Sequence, residues 1–340
     1  MDFATLTSKL QKISFSLIID ILYEQKIWAI YKIRNLFIGN VTKHSEVYLE
    51  FPKAYKWLPT KKWFLTIIPA LTAKAHVRNS NVPQNYKDIV TVRTTIGNKT
   101  GLVAFDFSDK PDQIDKMGLE DSCTYFKMQY LQDGYENPKI VPGQFIPGSM
   151  QLYWALPILR KLRMEKPIFE VYGRFGAEFA QNVRGKALQL LREQSQFAYT
   201  GEMKIIRYSR YLREIAQSKI CIDLPGNGPF CFRLIEYLAV GACIISPPHQ
   251  AIFSPKLEDG IHIKYCKADL SDLVDICNYY LKNDTARLKL SNGAKDFFDK
   301  YLSKDKIAEY YLQNIKKNYT IFCFQNSSKV STNTFISNFS

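Results

Sequence analysis

The sequence predicts an α/β protein with two domains, each built on a parallel sheet. The chain has 340 residues, which is long enough for two domains of ordinary size. Short apolar runs alternate with helical stretches of about a dozen residues through its second half, as they do in parallel βαβ units. Residues 220–246 then contain a strand, a glycine loop, a helix and a second strand in immediate succession. A hydrophobic content of 46% and a charged content of 23% agree with packed apolar cores.

Residues 1–40 are predicted to form a separate helical segment. The stretch is rich in apolar residues, but charged side chains such as Asp20, Glu24 and Lys26 interrupt it too often for a membrane-spanning helix. An amphipathic helix packed on the protein is the first interpretation, and a helix lying in a membrane interface is the alternative. The start lacks the basic residues and apolar core of a signal peptide.

Residues 41–148 are predicted as a small Rossmann-like domain with an irregular start. The run 63–71 fits either a strand or a helix, whereas residues 101–108 read as a strand. Asp106 and Asp109 lie at and just beyond the end of that strand. Because open α/β sheets place their sites at the carboxyl ends of their strands, both aspartates are candidate site residues.

Residues 149–320 are predicted as a second Rossmann-like domain, and the polar residues 321–340 as a disordered tail. A stretch with two Pro–Gly steps, residues 142–149, is the predicted linker. The apolar run 167–173 predicts the first strand of the second domain, and helices and strands alternate after it.

The segment 220–246 is the most specific signal in the chain. Its loop, PGNGP, has Gly226, Asn227 and Gly228 at the tip, and Pro229 stands where a helix can begin without losing a hydrogen bond. A loop of this kind directs backbone N–H groups and the positive end of a helix at its ligand, which is usually a phosphate. The alternative for the loop residues is simple turn chemistry.

Arg233 and Glu236 interrupt the apolar helix of this segment and share one of its faces, since they are three residues apart. One interpretation is a salt bridge on a solvated face. The other gives Arg233 to a pyrophosphate and Glu236 to the ribose hydroxyls of a nucleotide. Guanidinium grips phosphate oxygens in a fork, and a carboxylate accepts hydroxyl protons well.

Residues 226–245, GNGPFCFRLIEYLAVGACII, resemble the donor-binding segment of GT-B fold glycosyltransferases. The pattern R-x-x-E-x-x-x-x-G-[AC] is similar to that of exostosin-like enzymes and of the capsule-associated and protein O-glucosyltransferase group. Family-4 type retaining enzymes share the Glu and the later Gly. The resemblance implies a GT-B fold, in which two Rossmann-like domains with parallel sheets face a cleft. The second domain would hold a nucleotide-diphosphate sugar, UDP- or GDP-linked, and the first would hold a hydroxyl acceptor; no cofactor is implied.

The resemblance also implies roles for residues outside that segment. In similar transferases a basic residue after the first strand of the second domain contacts the donor pyrophosphate. Arg174 has this position. Arg184 and Lys186 lie farther along, in the predicted helix, and their charges make them weaker candidates. The run AFDFSDKP resembles a short Asp-aromatic-Pro signature whose Asp acts as base towards the acceptor. This implies Asp109, with Lys110 in place of the aromatic residue. Asp106 competes for the role, and capping after the strand is the alternative for both aspartates.

A net charge of +14 and a pI of about 9.3 favour anionic partners. A nucleotide sugar does not need so much charge, so an anionic membrane surface or an acidic acceptor is expected as well. Nucleic acid is not expected, because no recognition motif for it is present. An alternative function is a non-catalytic protein on the same fold that binds nucleotides or anionic polymers.

The seven cysteines are odd in number, and no pair has metal-site spacing. They are interpreted as small hydrophobic residues in a reducing compartment, without a disulfide framework or a zinc site. We therefore expect no metal ion, and a cytoplasmic protein, possibly peripheral on the inner face of a membrane.

Overall fold

The computed structural model describes residues 15–36, 45–176, 178–201 and 206–322, which form two α/β units. The first unit contains a six-stranded sheet in the order β2-β1-β3-β4-β5-β6. Its strands are β1 (Val47–Pro52), β2 (His76–Ser80), β3 (Ile89–Ile96), β4 (Lys99–Asp106), β5 (Ser122–Lys127) and β6 (Ile140–Pro142). The predicted fold class is confirmed for this unit, with one difference in strand direction.

Strand β3 is antiparallel to both of its neighbours, β1 and β4, whereas the other neighbouring strands of this sheet pair in parallel. The sheet is therefore mixed and not wholly parallel as predicted. The reason is the short connection between β3 and β4, in which Gly97 adopts a φ of 60°. A two-residue turn that begins with glycine at positive φ joins antiparallel strands, and a parallel crossover needs a much longer connection.

The helices of the first unit include α2 (Leu58–Thr72) and α3 (Lys116–Asp121), and α1 (Phe15–Leu36) precedes its first strand. Residues 63–71, which the sequence left open between a strand and a helix, lie in helix α2. Its buried Phe64 packs edge-on against Phe51 of β1 and Phe105 of β4. A proline in its first turn suits the start of a helix, because the missing N–H has no intrahelical partner there.

The second unit contains a five-stranded sheet in the order β11-β10-β9-β7-β8, and all of its neighbouring strands are parallel. Its strands are β7 (Phe169–Tyr172), β8 (Tyr199–Thr200), β9 (Ser218–Ile222), β10 (Cys243–Ser246) and β11 (Lys264–Tyr265). The helices are α4 (Met150–Leu162), α5 (Gln181–Glu193), α6 (Tyr208–Ala216), α7 (Phe232–Val240), α8 (Leu273–Lys282) and α9 (Asp284–Phe297), and a π-helical turn (Phe298–Leu302) leads to α10 (Lys304–Phe322). Counted within the unit, the strand order is 2-1-3-4-5. In such a sheet the strand order reverses between the first and third strands, and the ligand site lies outside the carboxyl ends of these two strands.

Helix α10 returns to the first unit, although the sequence assigns it to the second. The Tyr311 ring packs against Phe126 of β5 with 4.7 Å between centroids, and Glu309 forms an ion pair with Lys74 at 2.9 Å. The two units are therefore joined by the last helix as well as by the linker. The bounds 41–148 and 149–320 stay a prediction.

Helix α1 accounts for the described part of the predicted segment 1–40, and it packs against α4 and α6 of the second unit. None of the described helices is long and apolar enough to cross a membrane. Of the predicted tail 321–340, the structure describes the end of α10, and residues 323–340 lie outside the described part. Cys123 is disulfide-bonded, which corrects the expectation of thiols alone.

Candidate active site

A cavity of about 600 Å³ opens at the carboxyl ends of β7 and β9, where the doubly wound sheet places its ligand site. We call it the switch-point cavity. The residues predicted from sequence that line it are Asp109, Arg174, Arg184, Gly226, Asn227, Gly228, Arg233 and Glu236. Its wall comes mainly from the second unit, and Asp109 and Phe145 contribute from the first.

The glycine loop lies tightly between the two units. The Gly226 N–H donates to the carbonyl of Gly228 at 3.0 Å. A Cβ on Gly228 would lie 2.7 Å from the carbonyl oxygen of Asp109 and 2.6 Å from the side-chain amide nitrogen of Gln129. The loop therefore needs glycine at this position because the first unit packs directly on its backbone.

Gln129 fixes the end of the same loop, and this role of Gln129 was not predicted from the sequence. Its buried amide donates to the carbonyl of Phe230 at 3.0 Å and accepts from the Phe230 N–H at 2.9 Å. Both bonds join the first unit to the second. A single glutamine after a strand carries no recognisable sequence signal, so only the structure identifies this contact.

Helix α7 begins at Phe232, three residues after Pro229, so Pro229 belongs to the loop and not to the first turn. The helix ends at Gly241 as predicted, with a φ of 80° that favours glycine. The N–H groups of Gly241 and Ala242 both donate to the carbonyl of Tyr237. The bounds of α7 place Arg233 and Glu236 within its first two turns, at the cavity.

Arg233 pairs with Asp223 and not with Glu236. Its Nε lies 3.3 Å from Asp223 Oδ1, and its two other nitrogens donate to the carbonyls of Arg174 and Leu224 at 3.1 and 2.8 Å. The guanidinium also lies over the Phe175 ring, 4.8 Å from its centroid. Arg233 and Glu236 therefore do not form the solvated salt bridge that their spacing allowed. Arg233 instead connects the loops that follow β7 and β9.

Asp223 is a buried carboxylate that the sequence analysis overlooked, although it follows β9 directly. Its second oxygen lies 3.1 Å from His249 Nε2, and His249 Nδ1 lies 3.2 Å from the Tyr265 hydroxyl. The structure places His249 behind the cavity wall, where it helps to hold the carboxylate that positions Arg233.

Glu236 is buried and faces the cavity together with two tyrosines of α6. The Tyr208 hydroxyl donates to its carboxylate at 2.8 Å, and Tyr211 forms a second hydrogen bond. Burial raises the pKa of Glu236 to about 7, against the opposing effect of these bonds and of Arg233. The carboxyl group thus changes charge near neutral pH.

The two remaining arginines of the wall have different partners. Arg174 Nε donates to Glu214 at 2.8 Å and to the Tyr172 hydroxyl at 3.2 Å. Arg184, a weaker candidate from sequence, is buried in the wall and donates to the carbonyls of Pro225 and Gly176 at 2.8 and 2.6 Å.

Arg184 forms no ion pair with any carboxylate in the part of the chain that the structure describes. Its bonds to Pro225 and Gly176 and a contact with the Cys231 sulfur at 3.8 Å use three of its five N–H groups. Burial, and next the neighbouring charge of Arg233, lower the pKa of Arg184. An anion bound in the cavity would stabilise the charged form of Arg184 and so oppose both effects on its pKa.

The two candidate aspartates of the first unit lie in different surroundings. Asp109 faces the cavity and accepts a hydrogen bond from the Asn227 side chain, and burial raises its pKa. Asp106 is 2% exposed and does not line the cavity. It forms an ion pair with buried Lys127 at 2.7 Å and accepts a bond from the Tyr125 hydroxyl at 2.7 Å. The structure thus gives Asp106 a structural position, and Asp109 is the one of these two aspartates that lies at the cavity.

A second cavity of about 360 Å³ adjoins the first and shares Asp109 and the glycine loop with it. We call it the adjoining cavity. Pro229 and His249 line it from the second unit, and Lys110 and Asp112 line it from the first. Asp109 therefore lies at the boundary between two spaces. Within the described residues no cluster of His, Cys, Asp or Glu has the arrangement of a metal site.

The second unit matches the family model described as "Glycosyl transferase-like" over residues 159–313. The match covers β7 to β11 and the helices between them, and so includes the second-unit wall of the switch-point cavity. The roles of the individual site residues stay a prediction.

Comparisons with whole proteins cover between 30% and 61% of this chain. "Uncharacterized protein 179R" of Invertebrate iridescent virus 6 is 31% identical over 111 residues, which are 30% of this chain and 9% of that protein. A glycosyltransferase of Rickettsia africae shares 14% identity with a TM-score of 0.32, over 48% of this chain and 43% of that one. TarM of S. aureus, solved as a point mutant with fondaparinux, alpha-GlcNAc-glycerol and UDP, shares 10% identity with a TM-score of 0.41, over 61% of this chain and 49% of that one. The chain thus spans less than half the length of each of these proteins.

Proposed function

We propose that this chain is a glycosyltransferase that moves a hexose or pentose from a nucleotide-diphosphate sugar to a hydroxyl acceptor. The acceptor class is a glycan, a lipid-linked glycan or a protein. The observation that carries the proposal is the switch-point cavity, which combines arginines, a glycine loop, the buried carboxyl group of Glu236 and the exposed carboxyl group of Asp109 at the carboxyl ends of β7 and β9. Support comes from residues 159–313, which include its second-unit wall and match the glycosyl transferase-like family model.

The donor diphosphate binds between the glycine loop and Arg184 in this proposal, with UDP or GDP as the nucleotide. Arg184 suits this role best among the three arginines, because Arg174 and Arg233 already pair with carboxylates. Arg233 holds the loops in position and adds to the positive potential. Glu236 accepts hydrogen bonds from the ribose hydroxyls. Fixed positive charge of this kind stabilises the negative charge that develops on the departing nucleotide diphosphate.

The acceptor hydroxyl approaches from the adjoining cavity and meets the donor sugar at Asp109. The Asp109 carboxylate takes the hydroxyl proton while the acceptor oxygen bonds to the anomeric carbon and the nucleotide diphosphate leaves with the electron pair of the broken bond. A raised pKa makes this carboxylate a better base near neutral pH. This reaction inverts the anomeric configuration, so a product that retains it would contradict the role of Asp109.

The first test is a panel of UDP- and GDP-linked hexoses and pentoses, with transfer measured separately from nucleotide release. Transfer from one of these donors is the expected result. Nucleotide binding without turnover of any donor would instead support a non-catalytic binding protein. The arginines supply positive charge at the diphosphate, so we expect activity to persist in chelator. Loss of activity in chelator and its recovery with manganese would contradict metal independence.

The second test is Glu236→Ala, which should weaken nucleotide binding by ~1–3 kcal/mol, the range for a lost partner of a charged group. Calorimetry with the free nucleotide measures this independently of the acceptor. Unchanged affinity in a folded variant would show that Glu236 does not bind the ribose.

We propose the cytoplasm as the location, with peripheral contact to the inner face of a membrane. The five free cysteines among the described residues favour a reducing compartment such as the cytoplasm, whereas the disulfide of Cys123 favours an oxidising one. Cell fractionation tests this, and recovery of the chain in a secreted fraction would contradict it.

A further inference from the structure

The two faces of helix α1 are reversed relative to those of an ordinary surface helix, because its acidic side chains face the protein. Its acidic residues face the protein: Asp20 is buried and forms an ion pair with Arg213, and Glu24 pairs with Arg207 at 2.6 Å. Ile27 is buried on the same side. The carboxylates therefore attach α1 to helix α6, and they leave the outer face to other residues.

The outer face of α1 is mainly apolar, and exposed Gln25 and Lys26 are its polar members. Leu22 is 63% exposed and Ile33 is 57% exposed, and the other exposed aliphatic residues are Ile18, Ile19 and Ile21. Residues 18, 22 and 33 lie on one side of the helix, since they follow a period near 3.6. A surface helix in water normally presents polar residues outward, and a contiguous apolar patch marks an interaction site.

We propose that the outer face of α1, defined by Ile18, Ile19, Ile21, Leu22 and Ile33, lies on an anionic lipid surface. Charge complementarity favours this occupant, because the chain carries a net charge of +14. Exposed Lys26 belongs to the same helix, and Arg207 and Arg210 are 39% and 46% exposed on the helix beside it. Apolar side chains that enter the headgroup region, flanked by cations, are the features of an interfacial helix.

The depth of insertion follows from the same contacts. The ion pairs with Arg207 and Arg213 keep the helix axis against the second unit, so only its outer side chains can enter the lipid. The helix therefore lies along the surface. The residues of this face do not line the switch-point cavity, so the proposal stands or falls independently of the proposed reaction.

The experiment is flotation of the full chain with vesicles of phosphatidylcholine alone and of phosphatidylcholine mixed with phosphatidylglycerol. The parent should bind the anionic vesicles and release at high salt, because screening weakens the attraction. The double variant Ile18→Glu and Leu22→Glu should bind at least ~10-fold more weakly, since it removes two apolar side chains from the contact and adds negative charge. Leu288→Glu is the matched control, because Leu288 is 58% exposed on α9, and it should bind like the parent.

Three results would overturn the proposal. The parent could fail to bind anionic vesicles, or the double variant could bind them as the parent does while melting at the same temperature. Light scattering could also show a parent dimer that the double variant dissociates, which would assign the face to a second copy of the chain. Nucleotide affinity measured on the same variant should stay unchanged, which separates this surface from the cavity.

Discussion

The two walls of the switch-point cavity are built differently. On the second-unit wall, Arg174, Arg184 and Arg233 are each held by carboxylate or carbonyl partners before any ligand is present. On the first-unit wall, Asp109 is an exposed carboxylate whose pKa is raised by partial desolvation and which accepts one hydrogen bond from Asn227. One wall is thus preorganised for an anion, and the other offers a proton acceptor. The difference suggests that the second wall governs donor affinity and the first governs turnover.

The largest expected effect tests that division directly. Asp109→Asn keeps the shape of the side chain but removes the base, so turnover should fall ~100-fold or more while donor affinity stays almost unchanged. Steady-state kinetics and calorimetry measure the two quantities. Asp133→Asn, an exposed residue outside both cavities, is the control.

Asp106→Asn separates a structural role from a catalytic one. This variant leaves Lys127 buried without its ionic partner, so the melting temperature should fall. If Asp106→Asn stayed folded and lost turnover while Asp109→Asn kept it, the assignment of the two aspartates would be reversed.

The second prediction concerns donor affinity. Arg184→Gln removes the buried cation that has no carboxylate partner among the described residues, so nucleotide-diphosphate binding should weaken by about 1.5–3 kcal/mol. Lys186→Gln is the matched control, because Lys186 lies two residues away on the same helix and is exposed. Equal affinities of the two variants, measured by calorimetry, would remove Arg184 from the diphosphate site.

The sequence predicted the second wall better than the first for a physical reason. The glycine loop, Arg233 and Glu236 lie close together in one βαβ unit, so local spacing brings them to one place. Arg174 could be placed because it follows a recognisable strand. Gln129 could not be predicted, because its partner Phe230 is 101 residues away and only the packing of two units joins them. The antiparallel β3 had a local signal in its Gly97–Asn98 turn, which the sequence analysis did not use.

The third prediction tests the contact that joins the two walls. Gln129→Ala leaves the N–H and carbonyl of Phe230 buried without partners, so the free energy of unfolding should fall by ~1–3 kcal/mol. Chemical denaturation measures this, and exposed Gln113→Ala is the control. If the loss of stability came without any change in turnover, the position of the glycine loop against Asp109 would not matter for the reaction.

The smallest expected effect is a pH dependence on the second wall. The pKa of Glu236 is about 7 in the folded protein, so about a tenth of the molecules carry the carboxylate at pH 6 and most carry it at pH 8. Ribose hydroxyls donate to the ionised form, so apparent nucleotide affinity should rise by roughly 10-fold from pH 6 to pH 8. Glu236→Gln cannot ionise, and its affinity should follow only the titration of the nucleotide itself. The difference between the two profiles, measured by calorimetry, isolates the carboxyl group.

Stability should move in the opposite direction. The pKa of Glu236 lies above its ordinary value of 4.5, so the folded protein binds more protons than the unfolded chain between these two values. The free energy of unfolding therefore falls as the pH rises from about 5 to about 7 and then levels off. Glu236→Gln should lose this slope in thermal unfolding measured over the same range. Parallel profiles of parent and variant, for both affinity and stability, would mean that Glu236 stays ionised throughout and that Tyr208 and Tyr211 hold it as a permanent anion.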